Sequence, residues 1–280
     1  PLEVAQSQLA ISWALPYGIE EINGFNPLQP RRYTDFLFGP EVEDVSYGIL
    51  RDAALLHPQN PLLSLLDVKY VLIPRDASVA PHPAWVRVFA DDNVSIYRNP
   101  APHRRAYYVQ EVHVVSDPRI ISDRVKAPGF QPRTAALVEG IEVAHARRLS
   151  EGGPAWVRVE RVSPNELWIH TQTTTERFLV LSEMWFPGWR AEVDGRTLPI
   201  YRTNYLFRGL VVPPGTHTIR MIYRPASVLG GAIVTAGALA AILIALGTGA
   251  RGTRRANSRG KVVSKLAVNG LRERIERISC

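Results

Sequence analysis

The stretch LSEMWFPGWRAEVDG, residues 181–195, reads as two β-strands joined at Pro187-Gly188 and followed by a second turn at Asp194-Gly195. Asp-Gly flanked by apolar alternation is a strong type I′ hairpin signal, because both central residues must take positive φ. Trp185, Phe186 and Trp189 crowd the first turn, and three large aromatics are costly to leave in water. Core packing, an interdomain or membrane-surface contact, and ligand binding are all open to them. The first expectation is that the turn closes one end of a sandwich, with sugar gripping second.

Outward from this turn the pattern is strands alone. AWVRVERV, ELWIHTQT, FLVLSEM, WRAEVDG, TLPIYR, FRGLVV and HTIRMIY are successive strand candidates, punctuated by Pro164-Asn165, Glu176, the two turns above and Pro213-Pro214-Gly215. Val157 and Val159, then Leu167, Ile169 and Thr171, alternate with polar neighbours as a sheet with one wet face requires. Such a run implies a small antiparallel β-sandwich, jelly-roll or Ig-like, over residues 151–225. Glu151-Gly152-Gly153-Pro154 is the expected boundary with an α+β region over residues 1–150. The expected class is α+β, mostly β.

Downstream, ASVLGGAIVTAGALAAILIALGTGA, residues 226–250, carries no charge and is long enough to cross a bilayer. Nine basic and two acidic residues follow from Arg251, so the tail 251–280 alone carries +7, the whole net charge of the chain. The remaining 24 basic and 24 acidic groups cancel, which speaks against a nucleic-acid-binding body. The basic flank favours a cytoplasmic tail and an extracytoplasmic position for residues 1–225. KVVSKLAVNGLRERIERISC is expected to form a basic amphipathic helix at an anionic leaflet. The chain opens Pro-Leu-Glu without an initiator Met or exporting segment, so it is expected to be the C-terminal part of a longer multi-pass protein.

Upstream, residues 1–55 are rich in turn signals. NPLLSLLDVKYVLI pairs a helix capped by Asn60 and opened by Pro61 with a strand at 68–73 expected to be buried on both faces. WVRVFADDNVSIYRN reads as a hairpin turning at Asp91-Asp92-Asn93, AYYVQEVHVV as a strand, and Pro118 to Lys126 as a helix capped by Ser116 or Asp117.

Motifs for chemistry are sparse. The seven histidines show no metal spacing, Cys280 is the sole cysteine, and no P-loop, dinucleotide fingerprint or GxSxG elbow occurs. No cofactor, metal or catalytic residue is expected. Glu20-Glu21 and Asp91-Asp92 read as solvated neighbours. Aromatics beside polar groups suit sugar faces and Arg pairs suit phosphates. Two clusters have that character: Trp185, Phe186, Trp189, Tyr201, Tyr205 and Phe207, and Tyr17, Phe25, Arg31, Arg32 and Tyr33.

LLSLLDVKYVLI (62–73), YRNPAPHRRAYYV (97–109) and LVLSEMWFPGWRAEVDGRTLPIYRTNYLFRGLVVPPGTHTIRMIYRP (179–225) resemble the YfhO-type family of bacterial membrane proteins, as does YGIEEINGFNPLQPRRY (17–33). The likeness covers most of residues 15–250, and 181–225 is its most specific part. It implies a multi-pass protein of the GT-C glycosyltransferase type in the bacterial cell membrane. Such a protein takes a sugar from a polyprenyl-phosphate donor and adds it to an envelope glycan. The family's catalytic acid belongs to an early outer loop with no counterpart here, so this portion is expected to position substrate. The matched segments make Tyr17, Asn23, Arg31, Arg32, Tyr33, Trp185, Trp189, Tyr201, Asn204 and Tyr205 candidates for substrate binding. The expected partners are the bilayer, upstream membrane helices, polyprenyl-phosphate sugar and envelope glycan. The rival expectations are a non-catalytic carbohydrate-binding or scaffold module anchored in the envelope, and a tethered subunit whose partner supplies the chemistry.

Overall fold

A computed structural model describes residues 15–22, 30–39, 61–75, 83–100, 102, 104–140 and 153–246. Asn23, Phe25, Asn60 and the expected tail helix lie outside them. The described residues before Pro225 form one compact unit and those from Pro225 a second.

In the first unit, β7 (Trp156–Ser163), β8 (Glu166–Thr173), β10 (Trp189–Val193), β11 (Arg196–Leu198) and β14 (Gly215–Tyr223) make a five-stranded antiparallel sheet in the order β11-β10-β14-β8-β7. The β10–β11 hairpin turns on Asp194 (φ 50°) and Gly195 (φ 77°), the two positive φ values that the Asp-Gly pair predicts. Against this sheet lies a six-stranded one with the order β4-β9-β13-β12-β6-β5. It contains β4 (Ala106–Val109), β5 (Glu111–Val115), β6 (Ala135–Glu139), β9 (Arg177–Met184), β12 (Tyr201–Thr203) and β13 (Phe207–Val212). Only β5 and β6 of its neighbours run parallel; their connection passes through α3 (Pro118–Lys126), as a parallel pair requires.

This second sheet draws its strands from both sides of residue 151. β4, β5 and β6 come from before residue 151, and β9 pairs with β4 on one side and β13 on the other. The sandwich therefore does not close within residues 151–225. The one-wet-face alternation expected from Leu167, Ile169 and Thr171 holds in the five-stranded sheet, whereas β9 of the six-stranded sheet is buried on both faces. On β9, Leu179 and Leu181 face the five-stranded sheet with Leu167, Ile169, Ile219 and Met221, all fully buried. Phe178 and Val180 point the other way, into a second core with Phe36 and Leu37 of α1 (Arg31–Phe38), Leu62 and Leu65 of α2 (Pro61–Leu65), and Ile121 and Val125 of α3. Burial on both faces is why 178–181 reads FLVL rather than alternating. Each such side chain contributes roughly 1.5–3 kcal/mol of burial.

α3 starts where the sequence places it, with Pro118 in its first turn and the Asp117 carboxylate accepting from Arg119 N at 2.8 Å. AYYVQEVHVV is two strands, not one, because β4 and β5 pair with different neighbours on either side of Gln110. The 85–99 segment is the expected hairpin, β2 (Val86–Ala90) with β3 (Val94–Arg98), whose Asp91 carboxylate accepts from Asn93 N and Val94 N. β3 also pairs with β1 (Tyr70–Pro74). Contrary to expectation β1 is not buried on both faces: Tyr70 is 54% exposed. β1 is an edge strand of this three-stranded sheet, paired on one side by β3.

The second unit is described through α4 (Ala226–Leu246), 21 residues with a mean hydropathy of 2.3 and none of its apolar window buried. At 1.5 Å per residue it is about 32 Å long, sufficient for a ~30 Å hydrocarbon core.

Candidate functional site

Arg202 and Arg208 are cross-strand partners in the β12–β13 pair, so two guanidinium groups project from one face of the sheet. Like charges directly opposite are unfavourable, and each arginine is given its own indole and carboxylate. The Arg202 guanidinium lies 4.0 Å from the Trp185 ring centroid and 3.2 Å from Glu139 Oε1. The Arg208 guanidinium lies 3.8 Å from the Trp189 ring; its Nε donates to Met184 O at 2.9 Å, and Nη2 stands 3.9 Å from Glu183. Trp185 is further fixed by its indole N–H on Ile200 O and its amide on Leu206 O. Trp189 packs on the inter-sheet core and on Tyr223, with ring centroids 5.4 Å apart. The Trp-Phe-Pro-Gly-Trp turn is thus clamped at one end of the sandwich by two cation–π stacks, each worth about 0.5–2 kcal/mol. Phe186 stays 42% exposed.

The segment between the two arginines has consecutive left-handed residues, Asn204 (φ 48°) and Tyr205 (φ 71°). Asn204 reconciles that conformation with pairing. Its N–H donates to Leu137 O at 2.7 Å and its side-chain Oδ1 accepts from Leu137 N at 2.9 Å, continuing the ladder to β6. Tyr205 turns its ring onto Phe36 and under the Arg32 guanidinium, 5.0 Å from the centroid, while its hydroxyl donates to Asp35 at 3.2 Å. Burial and the adjacent Asp35 carboxylate raise the Tyr205 hydroxyl above its ordinary value. Arg32 forks onto both Glu139 oxygens at 2.6 and 3.0 Å. Burial and the repulsion of Arg32 lower Arg202, against the pull of Glu139.

Of the ten residues expected to bind substrate, Arg31, Arg32, Trp185 and Tyr205 gather around Glu139 and Asp35, with Arg31 3.5 Å from Asp35. Tyr201 turns into the helix-side core against Phe178, Asn204 is buried within the fold, and Tyr33 is pinned by its hydroxyl to Ile22 O at 2.6 Å. Trp189 belongs to the neighbouring Arg208 stack. Tyr17, 66% exposed on a single 3-10 turn, stands outside these contacts. The conformation of Asn23 is not described.

Two groups escaped the sequence reading. The first surrounds Glu183, which accepts from Arg105 and from Arg161 Nη2 at 2.8 Å. Glu20 lies over the same arginines, 2.5 Å from Arg105 Nη1 and 3.0 Å from Arg161 Nε. Its hydrogen bond from Arg105, against burial, holds the Glu20 carboxyl below its usual range. Burial, with the nearby Arg161 and Arg105 cations, pulls Arg208 down to about 10 despite Glu183. No local spacing joins residues 20, 105, 161, 183 and 208, so only the assembled sheet reveals them.

The second is the outward face of the five-stranded sheet. Trp156 pairs in register with Gln172 and Trp168 with Glu160, so both indoles share that face, 46% and 39% exposed. Trp156 Nε1 donates to Gln172 Oε1 at 2.5 Å and Trp168 Nε1 to Glu166 Oε1 at 2.9 Å. Between them His170 pairs with Thr218 at 3.1 Å, and Arg220 Nε donates to Glu166 at 2.6 Å. The Arg220 hydrogen bond, then that of Trp168, lowers Glu166. A signal for this face was present: the indoles occupy the polar phase of the Val157/Val159 and Leu167/Ile169 alternation.

Among the described residues no group of three His, Cys, Asp or Glu side chains is placed to hold a metal ion. No curated protein and no solved structure matches the chain. Residues 154–235, from the start of the sandwich strands into α4, match the family model described as bacterial membrane protein YfhO.

Proposed function

We propose that the chain is the C-terminal extracytoplasmic portion and membrane anchor of a multi-pass glycosyltransferase-like protein of the bacterial cell membrane. It acts on envelope glycans with a polyprenyl-phosphate-linked donor, and this portion positions substrate while catalysis resides elsewhere in the protein. The basic residues after α4 support this reading, since the positive-inside rule favours a cytoplasmic side for residues 251–280 and the outer side for residues 1–225.

The observation that carries the positioning role is the pair of exposed indoles on the five-stranded sheet. A flat sheet face gives each ring one free side, and an indole covers the apolar C–H face of a sugar while nearby polar groups take its hydroxyls. Trp156 and Trp168 lie four register positions apart, roughly 13 Å along the strand direction. That span favours a chain of sugars over a single ring. Gln172, His170, Thr218 and Arg220 supply donors and acceptors along it. The carboxylates beside the aromatic clusters favour positioning over catalysis, since Glu20, Glu139, Glu166 and Glu183 are each ion-paired with arginine.

The test is binding of purified envelope polysaccharide to the full chain in neutral lipid nanodiscs, by calorimetry. Trp156→Ala and Trp168→Ala are each expected to weaken binding about tenfold, the equivalent of ~1.4 kcal/mol of stacking, with the unfolding midpoint unchanged. Equal affinity of wild type and both variants overturns the reading. The same face also favours the rival, a non-catalytic carbohydrate-binding module. Sugar transfer by the full-length protein separates the two.

A further inference from the structure

Three guanidinium groups, those of Arg105, Arg161 and Arg208, converge on one partly buried carboxylate, Glu183, whose side chain is 13% exposed. One acid cannot neutralise three cations. The second acid at this place, Glu20, is of a different kind. It is 60% exposed, comes from the irregular stretch after the 3-10 turn, and reaches its arginines across 85 residues of sequence to Arg105. Glu183 is built into β9 as part of the sheet, whereas Glu20 is laid over it from outside.

Arg208 supplies an independent sign that the set is incomplete. Its side chain is 3% exposed, Nε is satisfied by Met184 O and Nη2 stands at long range from Glu183. Nη1 is buried with no hydrogen-bond partner among the described residues. A buried charged donor without an acceptor costs more than a neutral one, and a cation held so poorly compensated is a place where an anion is favoured.

We infer that Arg105, Arg161 and Arg208, set around Glu183, form a binding site for a phosphate group, and that Glu20 is its displaceable internal occupant. The charge count selects phosphate over carboxylate. With Glu20 withdrawn the set carries +2, from three arginines and one glutamate, the nearby Asp67 being offset by Lys69 at 4.0 Å, and this matches a phosphate dianion. A free carboxylate brings no more charge than Glu20 and must compete with a tethered rival at high effective concentration. A phosphate brings a second charge and a third acceptor oxygen, and the planar fork of a guanidinium engages any two of its tetrahedral oxygens at once. Trp189 caps the Arg208 guanidinium at 3.8 Å and holds that donor in place. This site stands on different residues from the indole face, and the inference does not depend on glycan binding.

The phosphate could belong to a soluble ion or to a lipid headgroup, and two arms distinguish them. In the first, the full chain in phosphatidylcholine nanodiscs is titrated with inorganic phosphate, with acetate as the control. In the second, inorganic phosphate is omitted and binding to phosphatidic acid vesicles is compared with phosphatidylcholine vesicles. Glu20→Gln, an exposed and fold-neutral change, is expected to tighten phosphate binding roughly tenfold by removing the tethered competitor. Arg161→Gln is expected to abolish it. A merely structural role for Glu20 gives no gain of affinity. Saturation by inorganic phosphate assigns a soluble ligand, and binding confined to phosphatidic acid assigns a headgroup. Binding in neither arm, acetate binding as tightly as phosphate, or Glu20→Gln failing to tighten binding overturns the inference.

Discussion

At His217 both ring nitrogens face acceptors: Nδ1 is 2.8 Å from Asp194 Oδ2 and Nε2 is 3.0 Å from Pro214 O. Only the imidazolium offers two N–H donors, so the Pro214 carbonyl, and after it Asp194, hold His217 above its ordinary value against the effect of burial. A folded-state value above the unfolded one means stability that is complete below about 6.5, the unfolded value, and lost as pH rises through the folded value. Unfolding midpoints are therefore expected to fall modestly between about pH 6 and 8, and His217→Gln should flatten that part of the profile. An unchanged slope in the variant contradicts the assignment. Asn204 shows residue chemistry of another sort. Asparagine tolerates the left-handed region and carries its own acceptor, so one residue both turns the chain and continues the β6 ladder. Those two bonds give Asn204 a structural role.

Among the elements, β9 and β13 decide the architecture, because they pair with each other inside the six-stranded sheet and are packed on both faces. Gly209 on β13 lets them come together. A Cβ there would stand 2.2 Å from Thr203 Oγ1 and 2.3 Å from the Phe178 ring. Gly209→Ala is expected to cost at least about 2 kcal/mol, at the upper side of overpacking penalties, measurable by denaturant unfolding. A loss under ~0.5 kcal/mol would mean that the ring and Thr203 step aside freely. These elements also show what the sequence discloses. β7, β8, β10 and β14 alternate cleanly because one face is wet, and α3 announces itself through Asp117-Pro118. The six-stranded sheet is a different matter. β4 and β9 stand some seventy residues apart and β5 pairs in parallel with β6, contacts that leave no local pattern behind. The Glu151-to-Pro154 stretch carries breaker residues typical of a domain boundary, yet the chain returns to the same sheet beyond it. The site divides in the same way. The Trp185 and Trp189 turn was visible as an aromatic cluster, whereas its arginine stacks depend on the Arg202–Arg208 register and could only emerge from the fold.

For the whole molecule, the arrangement of charge and grease sets the functional reading. The excess positive charge lies after an apolar helix, and the β-rich body before it is balanced overall, with Arg32, Arg105, Arg161, Arg202 and Arg220 ion-paired to carboxylates. Glycan positioning requires that body to lie outside the cytoplasm. Cys280, the single native thiol, follows α4, so it reports the sidedness of the tail without any engineering. The most direct measurement is labelling of intact cells expressing the protein with a membrane-impermeant maleimide. Cys280 should be protected until the membrane is permeabilised, and a thiol placed by Trp156→Cys in a Cys280→Ser background should label at once. Labelling of Cys280 in intact cells, with protection of the residue 156 thiol, would contradict the orientation and the envelope function drawn from it.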